Sequence, residues 1–144
     1  MRFAKVAMLV VLATSATAAQ VNVGTQKPEA NLPFTMTTTS TFELPWRIAF
    51  LPDGRMLVTE KIGPVWLVSA EGQKISPVGN TPAVYWQGQN GMHGVFLSPT
   101  YATDQSIYLT YVEPGDYGGG PALARGKLNL SPTSPRLQNF EELW

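Results

Sequence analysis

The run Trp46-Arg47-Ile48-Ala49-Phe50-Leu51-Pro52-Asp53-Gly54-Arg55-Met56-Leu57-Val58-Thr59-Glu60 decides the fold class of this chain. Its first six residues are strand-like, and Pro52-Asp53-Gly54-Arg55 is a turn tetrad with proline and Asp-Gly in favourable places. Met56 to Glu60 is a second strand, with β-branched residues and no helical spacing. Lys61-Ile62-Gly63-Pro64 turns the chain into a third strand, Val65-Trp66-Leu67-Val68, and Glu71-Gly72-Gln73 turns it again. Three strands joined by tight turns predict an antiparallel meander. If the first strand is fully buried, truncating Phe50 to alanine costs about 3–5 kcal/mol.

Outward from that run, the pattern recurs. Gly94 to Pro99 matches Ile48 to Pro52, an apolar strand stopped by proline, 47 residues later. Ser106 to Val112 takes the place of Met56 to Glu60. After a loop from Pro114 to Pro121, Ala122 to Leu128 takes the place of the third strand. A period near 45–50 residues with three or four short strands per unit is the signature of β-propeller blades. A β-sandwich also spaces short strands in this way. A closed ring at this period takes at least four units, roughly 190 residues. Two units therefore read as the N-terminal piece of a longer protein.

The composition narrows the function classes. Of 144 residues, 44% are apolar and 14% charged, which favours globular packing over disorder. Ten basic residues balance ten acidic ones, leaving no field for nucleic acid. The absence of cysteine excludes disulfides, thiolate metal sites and cysteine nucleophiles, and the one histidine excludes sites that need two. Residues 1–19 have the basic start (Arg2, Lys5), apolar run (Val6 to Ala13) and small-residue end (Ala16-Thr17-Ala18) of a secretory signal peptide, cut after Ala18 or Ala19. An uncleaved anchor or ordinary N-terminal helix is the alternative, though the run is short for a bilayer span. No membrane span is expected after cleavage. Residues 20–43 read as an extended, threonine-rich leader, and 44–144 as the folded body.

Gly88-Gln89-Asn90-Gly91-Met92-His93-Gly94-Val95-Phe96-Leu97-Ser98-Pro99 is the stretch with chemistry to offer. A polar, glycine-rich turn runs directly into an apolar segment, Val95 to Leu97, that reads as a buried strand. Such an entry presents side chains, here Gln89 and His93, where a ligand can reach them. A tight inter-strand turn with no ligand fits the same residues. His93 reads as a hydrogen-bonded loop residue more readily than as a catalyst, because no nucleophile elbow or second imidazole accompanies it. Tyr85-Trp86 either packs the core or walls a site beside the turn. Gly115 to Gly120 reads as a flexible edge loop, since Glu113 and Asp116 alone cannot supply the six oxygens of a calcium site. There is no P-loop and no dinucleotide fingerprint.

Leu44 to Glu60, then Gly88-Gln89-Asn90-Gly91-Met92 and Tyr108-Leu109-Thr110-Tyr111, resemble soluble PQQ-dependent aldose sugar dehydrogenases of the glucose/sorbosone dehydrogenase family, secreted six-bladed β-propellers. The resemblance covers Leu44 to Leu128. It implies an all-β propeller fold of which this chain holds one to two blades. It further implies oxidation of the C1 hydroxyl of an aldose to a lactone, with hydride transfer to pyrroloquinoline quinone (PQQ), an external electron acceptor, and a periplasmic or secreted location. Gln89 occupies the position of the family's quinone-contacting glutamine, and its amide both donates and accepts hydrogen bonds. Where the family carries leucine and then Asp or Gly, this chain has Met92-His93-Gly94, so His93 does not match the family's catalytic base. That base, the calcium ligands, and the arginines and lysine that hold the cofactor's acids are expected beyond Trp144. No catalytic or metal-ligating residue is therefore assigned here, and the 144-residue chain by itself is expected to be inactive. A non-catalytic propeller serving as a binding module, or an inactive truncated product, is the alternative reading.

Overall fold

The computed structural model describes residues 34–131 and 134–144. The expected signal peptide and residues 20–33 of the leader lie outside them. All the regular structure described lies within one compact unit, Thr37–Trp144. It comprises two four-stranded antiparallel sheets. The first is β1 (Pro45–Phe50), β2 (Met56–Glu60), β3 (Val65–Val68) and β4 (Lys74–Pro77), paired in sequence order. The second is β5 (Met92–Leu97), β6 (Ser106–Gly115), β7 (Gly118–Asn129) and β8 (Arg136–Glu142), with one short helix, α1 (Tyr101–Asp104), between β5 and β6. Two consecutive four-stranded meanders are two blades of a β-propeller.

The turn chemistry read from the sequence is present. Leu51 N–H donates to Arg55 C=O at 2.8 Å across Pro52 to Gly54, and Asp53 holds the Arg55 guanidinium at 2.6 Å. β2 is buried on both faces from Leu57 to Glu60. Leu57 is fully buried in a core shared by the two sheets, with Leu67, Met92, Val95 and Leu109. On the opposite face of the first sheet, Ile48, Val58 and Trp66 stand in register.

Several expectations are corrected. Phe50 is 70% exposed and Phe96 40% exposed. Side chains alternate along a strand, so an apolar run does not bury all its members. Leu51 and Val95 go inward, while Phe50 pairs with Met56 on the outer side and Phe96 lies beneath the Arg47 guanidinium, 4.2 Å from ring to cation. The segment Pro114 to Pro121 is paired strand rather than flexible loop. β6 and β7 keep register out to Gly115 opposite Gly118, leaving Asp116 and Tyr117 as the turn. Glycine gives no apolar alternation to read, yet its backbone pairs like any other. β4, α1 and β8 are additions to the elements expected.

One partly buried ion pair stabilises the outer face of the first sheet. Glu60, 3% exposed, accepts from Lys74 Nζ at 3.0 Å and from the Glu43 backbone N–H at 2.8 Å. The Lys74 ammonium sits between the rings of Phe42 and Trp66, at 4.5 and 4.2 Å. Burial pushes the Glu60 carboxyl up, but the electrostatic pull of the Trp66 indole, the Glu43 N–H and Lys74 outweigh it, so the net shift is downward. The Trp66 N–H itself falls short of hydrogen-bond geometry.

Leu57→Ala should destabilise the chain by about 2–5 kcal/mol in urea unfolding, whereas Phe50→Ala should change it by no more than about 0.5 kcal/mol. Since Glu60 titrates below its ordinary value of 4.5 when folded, it contributes stability above that pH and loses it as pH falls through the lowered folded value. Glu60→Gln should therefore lower the urea midpoint at neutral pH and flatten its fall below pH 4.5, read from midpoints across a pH series.

Candidate functional site

The first strands of the two sheets start at the same end of the unit, and each starts with an irregularity. In β1, Pro45 pairs with Glu60 and Arg47 with Thr59, which leaves Trp46 as an extra residue. In β5, Met92 pairs with Tyr111 and Val95 with Leu109, leaving His93 and Gly94 opposite Thr110. Bulges of this kind re-aim side chains. Here they bring the rings of Trp46 and His93 together across the two sheets, centroids 5.3 Å apart. The bulged backbone is held by hydroxyls. Thr59 Oγ1 donates to His93 C=O at 2.7 Å and accepts from Arg47 N–H at 3.1 Å, while Thr110 Oγ1 accepts from Gly94 N–H at 2.9 Å.

The glycine turn lies beside this pair. Asn90 N–H donates to Gln87 C=O at 3.0 Å, and Gly88 has open space around its α-carbon. Gly91 is different. It has φ of 128°, and a Cβ built there would stand 2.1 Å from Lys61 C=O, so no other residue fits. The close approach lets Met92 N–H donate to that same Lys61 carbonyl at 2.9 Å. Lys61 also donates its own N–H to Leu44 C=O at 3.0 Å and its Nζ to Gly88 C=O at 2.8 Å. One residue at the end of the first sheet thus pins both ends of the turn that opens the second.

Gln89 is exposed at the apex of that turn, and among the described residues its side-chain amide has no hydrogen-bond partner. Its backbone carbonyl accepts from His93 Nε2 at 3.0 Å. A carbonyl only accepts, so Nε2 carries the hydrogen. His93 accordingly acts as a hydrogen-bonded loop residue that braces the turn. The aromatic pair separates: Tyr85 is partly buried and its hydroxyl bonds to Gln87, while Trp86 is half exposed beside Gly91. The Trp46 ring faces the Lys61 ammonium at 5.5 Å, Trp86 lies beside Gly91, and the Gln89 amide is exposed on the turn. Flat rings, a neutral amide and a cation suit a planar ligand rimmed with oxygen.

Lys61 was not among the residues singled out in the sequence. A lysine closing a strand has the pattern of an ordinary solvated cation, and only its long-range bonds mark it. Two open depressions, of about 320 and 440 Å³, lie elsewhere: one around Asp104, Arg125 and Lys127, the other between the Asp53–Arg55 turn and Tyr101. Neither is lined by the Gln89 turn. Among the described residues no three histidine or carboxylate side chains cluster as metal ligands would.

The chain is similar to several characterised proteins. It is 38% identical over 87 residues to the aldose sugar dehydrogenase YliI of Escherichia coli (strain K12), an alignment covering 59% of this chain and 24% of the relative. Among solved structures, a glucose dehydrogenase superposes with a TM-score of 0.66 at 35% identity, over 71% of this chain and 32% of that one. The PQQ-bound form of an aldose sugar dehydrogenase from Streptomyces coelicolor gives 0.64 at 27% identity, over 75% and 32%. The chain thus spans between a quarter and a third of the length of these relatives. The sequence model of the glucose/sorbosone dehydrogenase family matches residues 42–144, and the chain belongs to that family.

Proposed function

We propose that this chain supplies the first blades and part of the cofactor site of an exported, PQQ-dependent aldose dehydrogenase. The observation that carries the reading is Gln89: an exposed amide with no partner in the described chain, at the apex of a turn pinned by Lys61. The similarity to a PQQ-bound dehydrogenase supports the choice of quinone. The fit is chemical as well. PQQ is flat, carries carbonyl and carboxylate oxygens, and requires donors and open backbone at its rim. Gln89 donates and accepts there, and Gly88 leaves room for close approach.

When bound, the quinone would supply the electron-pair acceptor for oxidation of the sugar C1 hydroxyl. This chain's own residues would bind and orient it. The Gln89 amide hydrogen-bonds the rim, the pinned turn limits its movement, and the Trp46 and Trp86 rings exclude water from one side. Preorganisation of this kind lowers the entropy cost of binding. Calcium, the Lewis acid that the family resemblance implies, finds no cluster of ligands among the described residues, and no step is assigned to it here.

Export to the periplasm or beyond is supported by the charged start, apolar run and small residues of positions 1–19. The intact mass of the exported protein should show cleavage after Ala18 or Ala19; retention of Met1 to Ala18 on the exported form would overturn this. Binding is tested by titrating PQQ into the exported protein that carries this chain and following quinone absorbance. Saturable binding is expected, weakened about tenfold by Gln89→Ala with the thermal transition unchanged, the loss expected of one hydrogen-bonding group. No binding by the wild-type protein, or equal binding by the variant, would overturn the assignment.

A further inference from the structure

Lys61 is 9% exposed, yet among the described residues its ammonium has no carboxylate within ion-pair distance. Lys74, in the same sheet, has Glu60 at 3.0 Å. An ammonium carries three N–H donors, and a buried charge without a counter-charge is costly. Gly88 C=O takes one donor at 2.8 Å. The Trp46 ring, 5.5 Å from Nζ, offers only a cation–π contact. Two donors and a full positive charge are left over directly beneath the exposed turn that carries Gln89.

We propose that Lys61 is an anion-binding residue of this site, its Nζ donating to a carboxylate oxygen of the ligand that docks on Gln89. Gly88 C=O and the Trp46 face orient the ammonium, and the ligand's carboxylate supplies the missing counter-charge. The ligand class follows from the two groups together. A neutral amide on the turn and an ammonium bonded to that same turn, with the Trp46 ring against it, select a planar compound with a carbonyl edge and at least one acid group. A lysine serves here as a compact point charge, in contrast to the bidentate fork of an arginine. The assignment rests on the quinone reading above and adds to it a charge contact within the first blade.

The test uses the exported protein that carries this chain and two probes, PQQ and its trimethyl ester, which keeps the quinone and removes the acids. Lys61→Met should weaken PQQ binding about tenfold while leaving the ester within about twofold. Lys61→Arg should restore most of the PQQ affinity. Lys61→Gln keeps a donor for Gly88 without the charge and should behave as Lys61→Met does; it also serves if Lys61→Met fails to fold. Gln89→Ala should weaken both probes. Equal losses for acid and ester in the Lys61 variants would mean that Lys61 acts only by holding the turn, which overturns the proposal. Unchanged affinity for both would overturn it too. Failure of the wild-type protein to bind PQQ would overturn the quinone reading itself, whereas tight wild-type binding insensitive to Lys61→Gln would remove only this contact.

Discussion

The backbone of Lys61 is the constraint on which the rest of this unit depends. Its N–H reaches back to Leu44 before β1 and its carbonyl reaches forward to Met92 at the start of β5. Each such bond contributes only about 0.5–1.5 kcal/mol, so their importance lies in geometry. They set where the second sheet begins relative to the first, and a strand that begins one residue late turns every side chain to the wrong face. Thr59 adds a second tie two residues earlier, linking β1, β2 and β5 through one hydroxyl. The end that carries Gln89 is therefore a junction between two sheets, held from both.

Much of this fold was legible because its strands announce themselves. Met56 to Glu60 and Val65 to Val68 form elements with the bounds their composition suggested, and the turn at Pro52 to Gly54 follows from proline and Asp-Gly. The outer strands were silent for a physical reason. β4 buries no residue fully, and β8 is exposed at every position except Leu137. An edge strand held by backbone pairing over a solvated face leaves almost no periodic signal. Phe50 and Phe96 show the converse: a run of apolar residues identifies a strand but does not say which members face inward.

The site was half legible. Glycines around a lone glutamine marked the turn, and Gln89 is exposed at its apex. What the glycines accommodate could not be read. Gly91 is required by a carbonyl thirty residues earlier in the chain, a contact with no local signature. Bulges are equally invisible, since one extra residue in a strand changes neither composition nor alternation enough to be noticed. Yet the bulges at Trp46 and at His93-Gly94 bring the rings of Trp46 and His93 within contact of each other. His93, which departs from the family pattern, thereby acquires a role in bracing the Gln89 carbonyl.

The two lysines of the first sheet show how one architecture produces opposite electrostatics at two places. Lys74 is enclosed by Phe42 and Trp66 and neutralised by Glu60, so its charge ends within the sheet. That pair stabilises the fold only while Glu60 stays ionised, which its surroundings favour. Lys61 has a comparable aromatic neighbour in Trp46 but a backbone carbonyl in place of a carboxylate. A carbonyl dipole orients an ammonium without cancelling it. With no basic excess in the chain as a whole, Lys61 is a local source of positive charge beside the Gln89 turn. A charge that is buried, oriented and, among the described residues, without a carboxylate partner would favour an anionic group over a neutral one in anything that docks there.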